Sequence, residues 1–348
     1  MKKIPQKWKK TRMKQMNKFK DVMDNILSEI DKGSKFVLTS HVSPDGDNLG
    51  STLAMYRFLN KTGKNVYYVL DDDIPSGLSF LAENIEKLSS SQFDDNNYIF
   101  ISLDCGDIGR VCVSEEIIKN AEKRICIDHH YSNKGDFSDI NYIDVDASST
   151  CELVFNLLRR YEENMKTEII DSETATLLYA GLLTDTGNFQ YSNTHPSSFE
   201  MAKVLLERNA DRDRVVQKIY QSNSFAYYRI LGDALGTLEI TDSKVENARV
   251  ASITVSIDMM KKHGIGYNEI DSITPYTRDI ENVEVGIFLK ERKPGEIKIS
   301  LRSKNFVDVS KIAAAFNGGG HVRAAGCTIN DSIENARKII TDYVLNSF

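Results

Sequence analysis

The stretch that decides the fold is RICIDHH (residues 124–130), in which a short apolar segment runs directly into one Asp and two His. Three other places put Asp or His after a run of apolar or β-forming residues. Polar groups at the ends of parallel strands meet at one edge of a sheet. We therefore predict one cluster that can hold two cations; the other three motifs are HVSPDGD (41–47), SLDCGD (102–107) and GLLTDTG (181–187).

Short apolar segments alternate with predicted helices through the first half of the chain. This pattern is typical of a buried parallel sheet of the doubly wound type. Helices are expected near residues 48–60, 81–88, 114–122, 149–163 and 172–183. Three of the four motifs follow predicted strands, whereas GLLTDTG closes a helix. The predicted strands are KFVLTS (35–40), NVYYVL (65–70), NYIFISL (97–103), RICI (124–127) and INYI (140–143).

The second half predicts a smaller α/β domain. ARVASITVSI (248–257) reads as a strand, residues 283–303 as a β-hairpin around Pro294 and Gly295, and VSKIAAAFNGGGH (309–321) as a helix entering a glycine loop. The active site is expected in the cleft between the domains. The predicted divisions are a basic extension with the first helix (1–33), a catalytic domain (34–205), a helical linker (206–222) and a substrate-binding domain (223–348).

Composition limits the class of protein. The 348 residues are 41% hydrophobic and 27% charged, as expected for a soluble globular chain. No apolar run approaches the roughly 18 residues of a membrane span. We therefore expect no membrane partner. Five scattered Cys without a paired motif predict a reducing, cytoplasmic location.

The charge is distributed unevenly. The net charge is −6, yet the first 20 residues carry nine Lys or Arg and no acid, which leaves about −15 on the remainder. The basic segment is either an arm that binds nucleic acid or an anionic surface, or a solvated lead-in to an amphipathic helix, and we favour the last interpretation. A body this acidic repels phosphates except at metals or local basic groups, so long polymeric substrates are not expected.

HVSPDGD places His41, Asp45 and Asp47 on one tight turn. Two neighbouring carboxylates repel each other unless a cation lies between them. The alternative is an acidic turn that caps the next helix, and the motif alone does not decide between the two. In SLDCGD, Asp104 ends a buried strand and must be paired or coordinated. Arg110 follows and could hold a phosphate oxygen.

The adjacent His129 and His130 would point in opposite directions on an extended backbone. We therefore expect one of them to bind metal and the other to face the substrate, with Asp128 setting an imidazole tautomer. Asp185 in GLLTDTG is a weaker candidate because the same residues make a good turn. Three consecutive glycines, Gly318, Gly319 and Gly320, form with His321 and Arg302 a candidate anion site.

Mixed His and carboxylate ligands favour Mn²⁺, with Co²⁺, Fe²⁺ or Mg²⁺ as alternatives, over Ca²⁺. Two such ions roughly 3.5–4 Å apart would clamp a phosphate and activate a water molecule. Asp104 is the expected bridging carboxylate. These residues indicate metal-dependent cleavage of phosphate esters.

Taken in order, HxxPDGD, LDxxD, DHH, TDTG and GGGHxxAAG resemble the DHH phosphoesterase superfamily with a C-terminal DHH-associated domain. The resemblance runs from about residue 35 to 330, and the compact size is similar to the NrnA group of nano-RNases. Within it, SNTHP (192–196) is a variant without an interpretation. The resemblance implies that one Mn²⁺ is held by His41, Asp45 and Asp104, and the other by Asp47, Asp104, His129 and Asp185.

The resemblance also implies the remaining roles. His130 would face the scissile phosphate with Asp128 behind it, while Arg302, the three glycines and His321 would grip the far end of a short nucleotide. The expected substrates are short RNA oligonucleotides, linear dinucleotides such as pApA, and pAp; a homodimer stays open. The alternatives are a Mn-dependent inorganic pyrophosphatase of the same superfamily and a nucleotide-binding module without catalysis.

Overall fold

The computed structural model describes residues 6–348, with side chains from Phe19 onward except that of His321. Most of the basic N-terminal segment therefore lies outside the described side chains, and its two interpretations stay predictions. The chain folds as two compact units, the first ending at Ser222 and the second spanning Asn223–Phe348. In the described part of the chain, no helix has the length and apolar character that crossing a membrane requires.

A six-stranded parallel sheet organises the first unit. Its strands are β1 (Lys35–Thr39), β2 (Asn65–Val69), β3 (Lys87–Leu88), β4 (Ile99–Leu103), β5 (Lys123–Asp128) and β6 (Ile140–Ile143). They lie in the order β3-β2-β1-β4-β5-β6, so the order reverses between β1 and β4. The predicted doubly wound parallel sheet is confirmed, and ligands of such sheets bind where the strand order reverses.

Helices cover both faces of this sheet. They are α1 (Gln6–Lys32), α2 (Gly46–Lys61), α3 (Glu115–Lys119), α4 (Thr150–Met165), α5 (Ser172–Asp185), α6 (Pro196–Glu207) and α7 (Arg212–Tyr220), with 3₁₀ turns at Ser76–Ala82 and Ile108–Arg110. The helix predicted at 81–88 is wrong. Its place is taken by the end of a 3₁₀ turn and the short strand β3, and Asn84 between them has a left-handed backbone with φ 67°.

The strands are apolar throughout because both sheet faces are buried. Successive residues of β1 alternate between two cores: Phe36 and Leu38 join one core, whereas Val37 joins the other. All five residues of β4 are buried. Burial on both faces explains why these strands read as continuous apolar runs rather than as alternating patterns.

The segment predicted as a linker, 206–222, belongs to the first unit. It contains the end of α6 and the whole of α7, and Val215 of α7 is fully buried in the larger core of that unit. Arg214 forms an ion pair with Glu83 of the same unit. The charged sequence of α7 suggested a linker because a helix that buries one narrow stripe shows few apolar residues.

The second unit contains a separate six-stranded mixed sheet with helices around it. Its order is β11-β12-β10-β9-β8-β7, and the predicted hairpin around Pro294 and Gly295 joins β9 to β10. The strands are β7 (Glu239–Asp242), β8 (Arg249–Val255), β9 (Val283–Lys293), β10 (Glu296–Ser303), β11 (Gly319–His321) and β12 (Ala324–Ile329). The helices are α8 (Phe225–Leu235), α9 (Ile257–His263), α10 (Pro275–Arg278), α11 (Val309–Ala314) and α12 (Ile333–Leu345), with 3₁₀ turns at Tyr267–Glu269 and Asp271–Ile273.

Two helices that carry candidate ligands, α2 and α5, approach each other through glycines. A Cβ atom on Gly181 of α5 would lie 2.2 Å from Sγ of Cys151 and 2.9 Å from Oδ1 of Asp47. A Cβ atom on Gly50 of α2 would lie 2.5 Å from the carbonyl oxygen of Leu177. Only glycine allows this approach, which brings the end of α5 beside the start of α2.

Gly181→Ala should therefore destabilise the protein by about 1–3 kcal/mol through overpacking. The added methyl group would also press on Asp47, a candidate metal ligand, so the affinity for a divalent cation should fall. Thermal unfolding with and without Mn²⁺ measures both effects. Gly232→Ala in α8 is the matched control, because its Cβ atom would meet no atom within 4 Å, and alanine favours a helix by up to about 1 kcal/mol. Equal melting temperatures for wild type and Gly181→Ala would contradict the packing argument.

Candidate active site

The candidate ligands lie at the carboxyl ends of neighbouring strands. HVSPDGD follows β1, Asp104 follows β4, and Asp128 is the last residue of β5. Because β1, β4 and β5 are adjacent in the sheet, these three motifs open on the same edge, where the strand order reverses. Asp185 reaches this edge from the last turn of α5.

Asp45, in the turn after β1, fits both interpretations of that turn, the helix cap and the metal site. Asp45 is the N-cap of α2, and its Oδ1 accepts hydrogen bonds from the backbone N–H groups of Asp47 and Asn48 at 3.1 and 3.0 Å. Its other oxygen lies 3.7 Å from Nε2 of His41. Asp45 therefore caps the helix with one oxygen and faces the cluster with the other.

The ring of His41 is oriented by the backbone. Its Nδ1 donates to the carbonyl of Val42 at 2.7 Å, which turns Nε2 toward the carboxylates. The guanidinium of Arg110 lies 3.4 Å from the same Nδ1. Since the shorter contact takes the proton of Nδ1, Arg110 supplies positive charge beside the ring. Arg110 itself is exposed at the edge of the cluster.

Asp104 lies at the centre of the cluster. Its side chain is 3% exposed, and Oδ2 lies 3.3 Å from Nε2 of His41. Its Oδ1 lies 3.6 Å from Nε2 of His129 and 3.5 Å from Nδ1 of His130. The backbone of Asp104 is left-handed, with φ 59°, a conformation that Asp tolerates better than most residues and that is common at functional sites. The two oxygens of Asp104 thus face different sets of neighbours.

His129 and His130 both turn toward Asp104, so the prediction that they point in opposite directions is wrong. Strand β5 ends at Asp128, and the alternation of an extended chain stops there. The two rings lie 4.9 Å apart. His130 donates from Nδ1 to Oδ1 of the fully buried Asp128 at 2.7 Å, and Asn133 donates to the other oxygen of Asp128 at 2.7 Å.

Asp47 and Asp185 complete the cluster around His129. Nε2 of His129 lies 3.9 Å from Oδ2 of Asp47 and 3.6 Å from Oδ2 of Asp185. Asp47 also accepts hydrogen bonds from the first N–H groups of α4, those of Thr150 at 2.6 Å and Cys151 at 2.9 Å. The helix N-terminus stabilises a negative charge there, while burial and the charges of Asp104 and Asp185 raise the pKa of Asp47.

Three groups of these residues have the geometry of metal-binding sites. In each group, one ligand atom per residue lies within 4.8 Å of the others. Asp104 belongs to two groups with different partners and so links them. Imidazole and carboxylate donors together suit divalent transition metals. The three groups are His41, Asp45 and Asp104; Asp47, His129 and Asp185; and Asp104, His129 and His130.

The electrostatics of the cluster favour positive charge between its members. Burial alone would lower the pKa of His41, but its contacts with Asp104 and Asp45 raise it to about 10. The pKa of His129 is likewise lowered by burial and raised to about 9 by nearby carboxylates, first that of Asp185. Partial burial raises the pKa of Asp185 to about 6. A divalent cation would supply positive charge in the same place.

Sequence reasoning missed two groups that support the candidate ligands. Thr150 is fully buried and donates its hydroxyl to Oδ1 of Asp104 at 2.9 Å. The carbonyl of Ala147 lies 3.3 Å from Nδ1 of His129. Both residues lie in DASST (146–150), which reads locally as a helix start. Only the packing of α4 against the sheet edge reveals the second role.

The predicted substrate-binding residues other than Arg110 lie in the second unit. Arg302 is on β10, where Nη1 donates to the carbonyl of Leu301 at 2.9 Å. The glycine stretch forms the short strand β11, paired with β12, rather than an open loop. The close approach of β12 explains two of the glycines. A Cβ atom on Gly318 would lie 2.2 Å from a backbone oxygen of β12, and a Cβ atom on Gly320 would lie 2.6 Å from another. A Cβ atom on Gly319 would meet nothing within 4 Å. The side chain of His321 lies outside the described residues.

Thr150→Val should weaken the binding of a divalent cation by about tenfold, because an outer-shell partner that orients a ligand typically contributes 10–100-fold to metal affinity. The substitution keeps the backbone N–H that binds Asp47 and removes only the hydroxyl that binds Asp104. Titration calorimetry with Mn²⁺ measures the change. Thr52→Val is the control, because the buried hydroxyl of Thr52 has no hydrogen-bond partner among the described residues. An unchanged Mn²⁺ affinity for Thr150→Val would show that this hydroxyl does not orient Asp104.

Comparison with known proteins agrees with this geometry. Residues 35–182 match the N-terminal domain of the DHH family, and residues 248–346 match the DHHA1 domain. A crystal structure of an exopolyphosphatase-related protein from Bacteroides fragilis has the same architecture: the TM-score is 0.83 at 28% sequence identity, over 94% of this chain and 96% of that one.

Two relatives carry the same descriptive name, bifunctional oligoribonuclease and PAP phosphatase NrnA. The protein from Thermus thermophilus is 30% identical over 84% of this chain and 83% of its own length. The protein from Bacillus subtilis is 26% identical over 88% of this chain and 92% of its own length. From its two domains and from these relatives, the chain belongs to the DHH family and carries a DHHA1 domain after the DHH N-terminal domain.

Proposed function

We propose that this protein is a metal-dependent phosphoesterase that hydrolyses very short oligoribonucleotides and related small nucleotides such as pApA and pAp. The observation that carries the proposal is the position of Asp104, whose two oxygens face two groups of candidate ligands. A carboxylate shared in this way is the bridging ligand that a two-metal site requires. The names of the relatives support nucleotides as the substrate class.

His41, Asp45 and Asp104 would hold one cation, and Asp47, Asp104, His129 and Asp185 the other. Mn²⁺ is the proposed metal, because each set combines carboxylates with one imidazole, a mixed set that Ca²⁺ does not favour. When bound, the pair of ions would polarise the phosphate and lower the pKa of a bound water molecule. The sheet edge and the first turn of α4 hold the residues that would bind both ions.

His130 would act on the scissile phosphate as an electrostatic stabiliser or proton donor. Its ring is oriented by the hydrogen bond to Asp128, and Asp128 is in turn held by Asn133. Asn133 also donates to the carbonyl of Cys105 at 2.9 Å, which ties this arrangement to the loop that follows Asp104. Such buried support keeps a catalytic imidazole in one orientation. Arg110 would bind a phosphate oxygen.

The second unit would limit the length of the substrate. Gly319 has open space where a side chain would stand, so its backbone could approach a phosphate or ribose closely. Arg302 and His321 would add charge and hydrogen bonds there. Binding of the substrate end by this unit would restrict turnover to short chains.

The rival interpretations have less support. No described feature favours an inorganic pyrophosphatase. A binding module without catalysis would not need every candidate ligand to converge, yet all six predicted metal ligands lie in the groups described above. The cytoplasmic location and the homodimer stay predictions.

Turnover of RNA oligonucleotides from two to twenty residues with Mn²⁺ should fall steeply with length. Asp104→Asn should lower turnover at every length by at least roughly 100-fold, because both ions lose a ligand, a larger loss than an outer-shell change gives. Asn also tolerates the left-handed backbone at this position, so circular dichroism should stay that of the wild type. Equal rates across the ladder would contradict the length limit. Faster phosphate release from pyrophosphate than from pAp would support the rival enzyme.

Gly319→Ala should raise KM for pApA several-fold and leave the melting temperature unchanged, because the methyl group meets no protein atom but occupies the space proposed for substrate. Steady-state kinetics and thermal unfolding separate the two effects. Gly77→Ala, where a Cβ atom also meets nothing within 4 Å, is the control in the first unit. A wild-type KM for Gly319→Ala would remove the glycine stretch from the proposed site.

A further inference from the structure

We propose that Asn193 is a positioning residue that holds Asp185 in place as a metal ligand, an inference that rests on the proposed two-metal function. Asn193 lies in SNTHP (192–196), the segment for which the sequence offered no interpretation. Its side-chain amide lies between Asp185 and the segment before α4 that contacts the other two members of the second ligand group. Its role is to fix the least buried ligand of that group.

The Nδ2 of Asn193 contacts three acceptors. It lies 3.2 Å from Oδ2 of Asp185, 3.0 Å from the backbone carbonyl of Asp185 and 2.9 Å from the carbonyl of Ser148. The first two contacts fix the carboxylate relative to its own backbone. The third joins the end of α5 to the segment that leads into α4. One amide thus connects both sides of the ligand group.

Asp185 needs this support more than the other members of its group do. Its side chain is 30% exposed, whereas those of Asp47 and Asp104 are 2% and 3% exposed. Asp47 is held by two backbone N–H groups of α4, and Asp104 by the hydroxyl of Thr150. The carboxylate of Asp185 accepts a hydrogen bond from the side chain of Asn193.

The segment joined by Asn193 contacts the other members of the group. Ser148 lies between Ala147, whose carbonyl contacts the ring of His129, and Thr150, whose N–H and hydroxyl bind Asp47 and Asp104. A shift of Ser148 relative to Asp185 would therefore move His129 away from Asp185. Asn193 sets this distance.

The amide of Asn193 acts as a donor only. Its Oδ1 is buried and has no hydrogen-bond partner among the described residues, an arrangement that opposes folding. The loop that delivers Asn193 also has left-handed backbone at Asn188 and Phe189, with φ 58° and 63°. A bulky aromatic residue rarely adopts that conformation. Unfavourable local features of this kind concentrate at functional sites, where the surrounding structure maintains them.

The test is the binding of Mn²⁺ to Asn193→Leu, which keeps the size of the side chain and removes the donor. Wild type should bind two Mn²⁺ per chain and show the electron paramagnetic resonance spectrum of a coupled pair. In Asn193→Leu, calorimetry should show 10–100-fold weaker binding of one ion and unchanged binding of the other. At a Mn²⁺ concentration between the two dissociation constants, the spectrum should become that of an isolated ion.

Thr194→Val is the matched control, because the neighbouring hydroxyl of Thr194 is buried without a partner in the described structure and its removal should leave both ions bound as in wild type. If Asn193→Leu does not fold, Asn193→Ser, which retains a donor, should show the same selective loss at a smaller factor. Wild-type affinity for both ions in the variant, with only the melting temperature lowered, would overturn the proposal and leave Asn193 structural. Failure of wild type to bind two ions would instead reject the proposed function.

Discussion

The negative charge of Asp104 is buried at a sheet edge among three imidazoles, and the arrangement of the first unit follows from how that charge is accommodated. Its side chain is 3% exposed, with His41 on one oxygen and His129 and His130 on the other. A buried carboxylate needs partners of opposite charge or a bound cation. Asp47 adds a second buried carboxylate to the same cluster. With imidazoles as the only partners, the net charge of the cluster would depend on how many of the imidazoles are protonated. Two divalent cations would satisfy both carboxylates at once.

The fold brings these groups together by topology rather than by local sequence. Reversal of the strand order between β1 and β4 puts the motifs that follow them side by side, and β5 adds the next motif along the same edge. Helix α5 then delivers Asp185 because Gly50 and Gly181 let it lie close to α2. The start of α4 supplies hydrogen-bond donors to two carboxylates. Candidate ligands from separate segments are thus held by the same sheet edge and by the same three helices, α2, α4 and α5.

The sequence predicted the parts of this arrangement that depend on strand ends. Continuous apolar runs identified the buried parallel strands, and Asp or His after three of them identified most of the residues that meet in the cluster. Asp45 shows the limit of a single motif, because one carboxylate both caps α2 and faces His41. The direction of His130 was not predictable, since the alternation of side chains depends on where β5 stops.

The supporting residues were not predictable for a different reason. Thr150 begins a helix, and nothing in the local pattern of DASST distinguishes a helix cap from a residue that also binds a distant carboxylate. Asn193 is separated from Ser148 by 45 positions, so its contact depends on the packing of α4, α5 and the loop between α5 and α6. The glycine stretch was predicted as an open loop for a similar reason. Gly318 and Gly320 fit tightly against β12, a partner that the sequence pattern alone did not reveal.

The measurement that tests the central claim most directly is a crystal structure of the protein with Mn²⁺, with the ions located by their anomalous scattering. The account predicts two peaks roughly 3.5–4 Å apart, with carboxylate oxygens of Asp104 bound to both. A single peak, or two peaks neither of which contacts Asp104, would contradict it.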